Sequence, residues 1–104
     1  MPCNVVYDIA TESITDWNAL QMAAKEMGLH IETRGEEHYI GGIIRVQSQS
    51  GGKYVLSTTN RSQLQQLMDE YAAAKIIREA RRNSWQVTKT KESNGKIKLR
   101  IFQE

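Results

Sequence analysis

Between Ser62 and about Asn83 the chain carries apolar residues on two opposite sides of one helix. No other feature constrains the fold as much. At about 100° per residue, Leu64, Leu67, Met68 and Tyr71 centre on one side, and Ala73, Ile76, Ile77 and Ala80 centre nearly opposite. A helix apolar on two sides is buried on two sides. One side faces the protein's own sheet. The other faces the first helix or a second subunit. Ser62 opens this helix, with Gln65 three residues on at the spacing of a capping box.

The rest of the chain supplies one shorter helix and several strands. Val5 to Ile9 is a β-branched and aromatic run, read as the first strand, with Thr11 to Thr15 as the turn after it. Thr15 is the expected N-cap, Asp16 sits at the positive end of the helix dipole, and Ile14 is placed as a hydrophobic staple. Trp17, Leu20, Ala24 and Met27 form one apolar stripe, and Gly28 followed by Leu29 ends the helix, which spans about 16–27. Leu29 to Thr33 reads as a weak strand and Arg34-Gly35-Glu36-Glu37 as a polar loop. Tyr39 to Gln47 reads as one strand interrupted by Gly41-Gly42, which suggests a bulge or a close backbone approach. Ser50-Gly51-Gly52 is a turn leading to a strand over Lys53 to Thr58. Trp85 to Lys91 and Lys96 to Phe102 flank Asn94-Gly95, a strong hairpin signal.

This order, β-α-β(β)β-α-β-β, predicts an α+β fold: a single-layer antiparallel sheet with two helices packed on one face. At 104 residues the chain is expected to be one domain, 1–104. Its 39% hydrophobic content suffices for one core and argues against disorder. No apolar run approaches the roughly 20 residues of a membrane span. The start, Met1-Pro2-Cys3-Asn4, lacks a basic n-region and a long apolar stretch, and Cys3 is the single cysteine. Both point to a reduced, cytoplasmic setting without a membrane partner.

One stretch resembles a known family. Glu70-Tyr71-Ala72, Ile76, Glu79-Ala80, Trp85-Gln86-Val87 and Asn94-Gly95-Lys96-Ile97-Lys98-Leu99 are similar to the C-terminal signature of the Ycf thirty-five proteins. These are cyanobacterial and chloroplast-encoded proteins of unknown function with relatives in phage genomes. Ile14, Asp16, Leu20, Ala23 or Ala24 and Gly28 resemble the family's first helix more loosely. The middle departs, lacking the longer Asp-rich strand segment of the family. The resemblance implies a compact α+β domain and supplies no catalytic residue.

Charge is segregated along the chain. Residues 75–104 hold nine cations against three carboxylates, a net of +6, whereas residues 1–74 hold five cations and nine carboxylates, a net of −4. Such a split favours an oppositely charged partner or a second copy. The hairpin has two possible registers. A two-residue Asn94-Gly95 loop sets Lys91 opposite Lys98 and Lys89 opposite Arg100, a ladder of like charges that an anion such as phosphate would relieve. A three-residue Ser93-Asn94-Gly95 loop with a bulge sets Glu92 opposite Lys96 and Val87 opposite Ile101, which dissolves the ladder. Charged strands also serve simply to block edge pairing. Arg78, Arg81 and Arg82 extend the basic patch but also suit the last turn of a helix.

Other chemistry is thin. His30, His38, Glu36, Glu37 and Cys3 lack a recognised metal spacing, and no nucleophile or phosphate-loop motif is present. No catalytic residue, cofactor or metal is expected. Met22 lies off the first helix's stripe, where it suits an adaptable contact. The leading expectation is a non-enzymatic, self-associating protein–protein interaction module. Tyr71, Ile76 and Ile77 supply its apolar contact, and Arg78, Arg82, Lys89, Lys91, Lys98 and Arg100 its charge. RNA or DNA binding through the basic helix and hairpin is the alternative, and small-molecule binding a third.

Overall fold

The computed structural model describes residues 9–102. Its elements run β1 (Ala10–Ile14), α1 (Trp17–Glu26), β2 (Ile31–Arg34), β3 (Glu37–Ile40), β4 (Ile44–Gln49), β5 (Lys53–Thr58), α2 (Arg61–Arg82), β6 (Gln86–Lys91) and β7 (Ile97–Phe102). The first five strands form one antiparallel sheet in the order β1-β5-β4-β3-β2, and β6 and β7 form a separate two-stranded sheet. The α+β class agrees with the sequence. The hairpin, however, does not join the main sheet.

One face of that sheet holds the core. Ile14, Ile40, Ile44, Val46 and Leu56 meet Leu20 and Ala24 of α1 and Leu64, Leu67 and Tyr71 of α2 in one buried cluster. Both helices therefore lie on the same face. Among the described residues, no helix is long and apolar enough to cross a membrane.

Several boundaries differ from the sequence reading. The strand expected at Val5–Ile9 falls outside the described residues except for Ile9, which is exposed and not in a strand. β1 instead occupies the segment read as a turn. It pairs with β5 from Ala10↔Thr58 to Ile14↔Tyr54, burying only its two ends. Arg34 and Glu37 face each other, so the expected polar loop is a tight turn between β2 and β3. Gly41-Gly42 is not a bulge within one strand but part of the turn joining β3 to β4, with Ile40 opposite Ile44. The close approach does occur there: a Cβ on Gly41, whose φ is +62°, would lie 3.2 Å from Leu29 Cδ2.

The caps also move. Asp16, not Thr15, caps α1, its Oδ1 accepting from the Ala19 N–H at 3.0 Å. Asn60, not Ser62, caps α2 by accepting from the Gln63 N–H at 3.0 Å. At the far end of α1, Gly28 and Leu29 donate to Lys25 and Ala24, the Schellman pattern expected of Gly28. α2 ends the same way, with Ser84 donating to Arg81 and Trp85 to Ala80. Here the left-handed position is held by Ser84, φ 61°, rather than glycine. That reversal sends β6 back along α2. Ser84→Gly is expected to stabilise the protein by about 0.5–1 kcal/mol, because glycine adopts this conformation without a Cβ clash. Urea unfolding would measure it, and a loss of stability would refute the strain.

The outer face of the main sheet is polar. The Glu37 carboxylate accepts hydrogen bonds from the Arg45 guanidinium and, at 2.8 Å, from the Tyr39 hydroxyl. These donors, Arg45 first, hold the Glu37 carboxyl down at about 2, from a usual 4.5. Asp16 is also depressed, chiefly by the Ala19 N–H and then by Arg78. Both groups thus favour the folded state above the ordinary carboxylate range, and each contribution drains away as pH falls through the group's own depressed value, about 2 for Glu37. The Glu37 carboxyl should titrate near 2 by NMR and move toward 4.5 in Arg45→Ala. An unmoved midpoint would exclude Arg45 as the cause.

Candidate interaction surface

The second apolar side of α2 is covered by the β6–β7 hairpin. The register is Val87↔Ile101, Lys89↔Leu99 and Lys91↔Ile97. This is the three-residue loop: Gly95 N–H donates to Glu92 O at 2.9 Å, and Glu92 N–H donates to Lys96 O at 2.8 Å. Gly95, φ +86°, takes the bulge position that needs left-handed backbone. Val87, Ile97, Leu99 and Ile101 all lie on the face toward α2. So do Lys89 and Lys91. The opposed-cation ladder is absent, because Lys98 and Arg100 point to the other face, opposite Thr90 and Thr88.

Glu70 receives the two lysines. Its side chain is only 3% exposed. Lys89 Nζ lies 2.5 Å from Oε2 and Lys91 Nζ 3.4 Å from Oε1, with Glu26 a further 3.7 Å from Lys89. Sequence reasoning passed over Glu70, although a signal exists. Glu70 shares a helical row with Ala74, Ile77 and Arg81, and a carboxylate within a mostly apolar row needs a cationic partner.

Most of the predicted cations are similarly engaged. Arg78 binds Asp16 at 2.6 Å and Arg82 binds Glu79 of its own helix at 3.3 Å. Lys98 approaches Glu92 only at 3.8 Å, in the open, and such a pair contributes little. Arg100 has no ion-pair partner among the described residues. Of the nine cations, Lys75, Arg81, Lys96 and Arg100 have no ion pair among the described residues and Lys98 has only the loose one, so on the hairpin the free charge contracts to Lys96, Lys98 and Arg100. The reason is that five of the six predicted contact cations meet carboxylates of the same chain, Lys98 the most loosely.

The apolar set separates too. Tyr71 is buried, and its hydroxyl oxygen accepts from the backbone N–H groups of Asp16 at 3.1 Å and Thr15 at 3.4 Å. It fastens the start of α1 to α2, which corrects its assignment to an external interface. Ile77 lines a groove of about 230 Å³ between α1, α2 and β6, together with Met22, Ala74 and Val87. Ile76 remains 45% exposed. It opens onto a second groove of about 440 Å³ beside β7, floored by Ala72, Ala73, Ile97 and Leu99, with Asp69 and Lys96 at its mouth. β6 therefore lies toward α1, and β7 lies away from it with an unpaired edge among the described residues.

The histidines do not form a site. His38 packs on Trp17 with ring centroids 4.5 Å apart, and its Nδ1 lies 2.9 Å from Thr33 Oγ1. Among the described residues, no three His, Cys, Asp or Glu side chains gather as a metal-ligand group. Cys3 lies outside the described residues.

No protein-family model, curated protein or solved structure matches this chain.

Proposed function

We propose that the protein is a non-enzymatic interaction module whose contact surface is the side of the α2–hairpin unit away from α1. One observation carries this reading. The unpaired β7 edge runs beside an open apolar groove, and Ile76 and Ile101 remain 45% and 38% exposed along it. Edge strands of this kind are usually covered or blunted. The Ycf thirty-five kinship proposed from the C-terminal residues is compatible with this reading and adds no catalytic group.

A second copy is the simplest probe of such a face. A two-fold pairing centred on Leu99 would set Lys98 against Arg100 of the other copy, and like charges directly opposed are unfavourable. Salt screens that repulsion and strengthens apolar burial. Light scattering should therefore find a mass that rises with protein concentration at high salt, less so at low salt. Ile76→Asp should remove the rise. A monomer at every concentration and salt, carrying nucleic acid that salt strips off, would overturn the reading.

Nucleic-acid binding is the second reading, and the outward hairpin face favours it: Gln86, Thr88, Thr90, Lys98 and Arg100 alternate there, with Glu92 confined to the loop end beside Lys98. A two-stranded ribbon fits a major groove. With Lys89 and Lys91 held by Glu70, the phosphate contacts would rest on few cations, so the salt dependence would be shallow, a slope near −2 if only Lys98 and Arg100 contribute.

A further inference from the structure

We infer that the β7 edge accepts an extended acidic segment of a partner protein, one that alternates acidic and apolar residues and adds a third strand to the hairpin. This rests on the reading of the α2–hairpin side as a contact surface and names its occupant.

The backbone supplies the first argument. Glu92 and Lys96 close the hairpin as a hydrogen-bonded pair. Antiparallel pairs alternate between bonded and non-bonded, so Lys98 and Arg100 direct their N–H and C=O groups at β6. Ile97, Leu99 and Ile101 then direct theirs at the open edge. Three residues in register thus offer donors and acceptors to an incoming strand, as in β-strand addition. A two-stranded sheet is marginal by itself, and a third strand strengthens it.

The side chains say what that strand carries. Residues opposite Ile97, Leu99 and Ile101 point toward α2, over the groove bordered by Ile76 and Ala72. Apolar side chains suit that side. Residues opposite Lys98 and Arg100 point outward, beside Gln86, Thr88 and Thr90; among the described residues the carboxylate that reaches this face is Glu92 at the loop end, 3.8 Å from Lys98, and Arg100 has no ion-pair partner. Acidic side chains suit that side. Asp69, at the mouth of the groove, is engaged by Gln65 Nε2 at 3.1 Å and stands on the helix, not on the outward face. The same charge pattern that opposes a second copy favours an acidic strand.

The test uses the whole chain and two synthetic octapeptides, one alternating Glu and Val, the other Lys and Val. Amide exchange is read by NMR. In the free protein Ile97, Leu99 and Ile101 should exchange faster than Lys98 and Arg100. The Glu/Val peptide should slow those three amides, and the Lys/Val peptide should not. Reversing both outward charges, Lys98→Glu with Arg100→Glu, should weaken the Glu/Val peptide at least about tenfold, from two cross-strand pairs lost and reversed. Both side chains are exposed, so the melting temperature of that variant checks that it folds. Ile101→Pro removes one edge donor while sparing the bonds to β6, and should weaken binding as well. No protection by the Glu/Val peptide, or equal affinity in the charge-reversed variant, would overturn the inference. If the Lys/Val peptide protects the same amides instead, the acidic partner is wrong and the contact surface stands. If neither peptide binds, and duplex DNA or single-stranded RNA shifts Thr88, Lys98 and Arg100, both the inference and the contact surface fall.

Discussion

Lys89→Met should destabilise the protein by about 3 kcal/mol, the low end of what breaking a buried ion pair costs. The carboxylate left behind is the reason. Glu70 is 3% exposed and would keep only Lys91, whose side chain is 56% exposed and whose Nζ stands at 3.4 Å against 2.5 Å for Lys89. For the same reason Lys91→Met should cost only about 1 kcal/mol, in the range of a partly exposed charged hydrogen bond. Removing the buried charge together with its partner, as in Lys89→Met with Glu70→Leu, should recover much of the loss. Urea unfolding of the four proteins decides it. If Lys91→Met costs as much as Lys89→Met, or the double variant recovers nothing, Glu70 is not the anchor of the hairpin. The hairpin amides should also exchange sooner in Lys89→Met, since the ion pair ties a marginal two-stranded sheet to α2.

Leu67→Ala should cost about 3–4 kcal/mol, typical of a buried leucine truncated in a core that closes only partly around the gap. Leu67 is fully buried on the side of α2 that faces the sheet, in one cluster with Leu20, Ile44 and Leu56. Domains of this size are stable by only about 5–15 kcal/mol, so much of the margin would go. Ile76→Ala, on the other side of the same helix, should cost less than about 1 kcal/mol because nearly half of its surface is already in water. Thermal melts of the two variants compare the two sides directly. Equal losses would mean that Ile76 is packed, which would also remove the apolar element of the proposed contact surface.

These two variants mark what was readable in advance. The two-sided character of α2 was legible, since it depends only on helical periodicity. So were both helices, the hairpin around Asn94-Gly95 and the α+β class, each set by local spacing and turn chemistry. β1 was less legible. Ala-Thr-Glu-Ser-Ile buries only Ala10 and Ile14, so its strand pattern is faint, and its pairing with β5 supplies what its own residues lack. Glu37 and Arg45 are remote in sequence and become neighbours only because β3 and β4 pair.

The residues of the candidate surface were legible as types, not as partners. Lys89, Lys91, Lys98 and Arg100 alternate along two strands, and that alternation is visible in the chain itself. Which pair faces inward depends on a one-residue choice of register, and a slip of one exchanges the faces of a whole strand. Packing on α2 selects the register that puts Val87, Ile97, Leu99 and Ile101 on one side. That choice brings Lys89 and Lys91 inward as well, where Glu70 neutralises them. The local code of the chain therefore determined both helices, the hairpin and the sign of the charge, but not β1. Tertiary structure alone decided which charges are consumed within the fold and which stay outward, because burial of an ion depends on the neighbour that meets it.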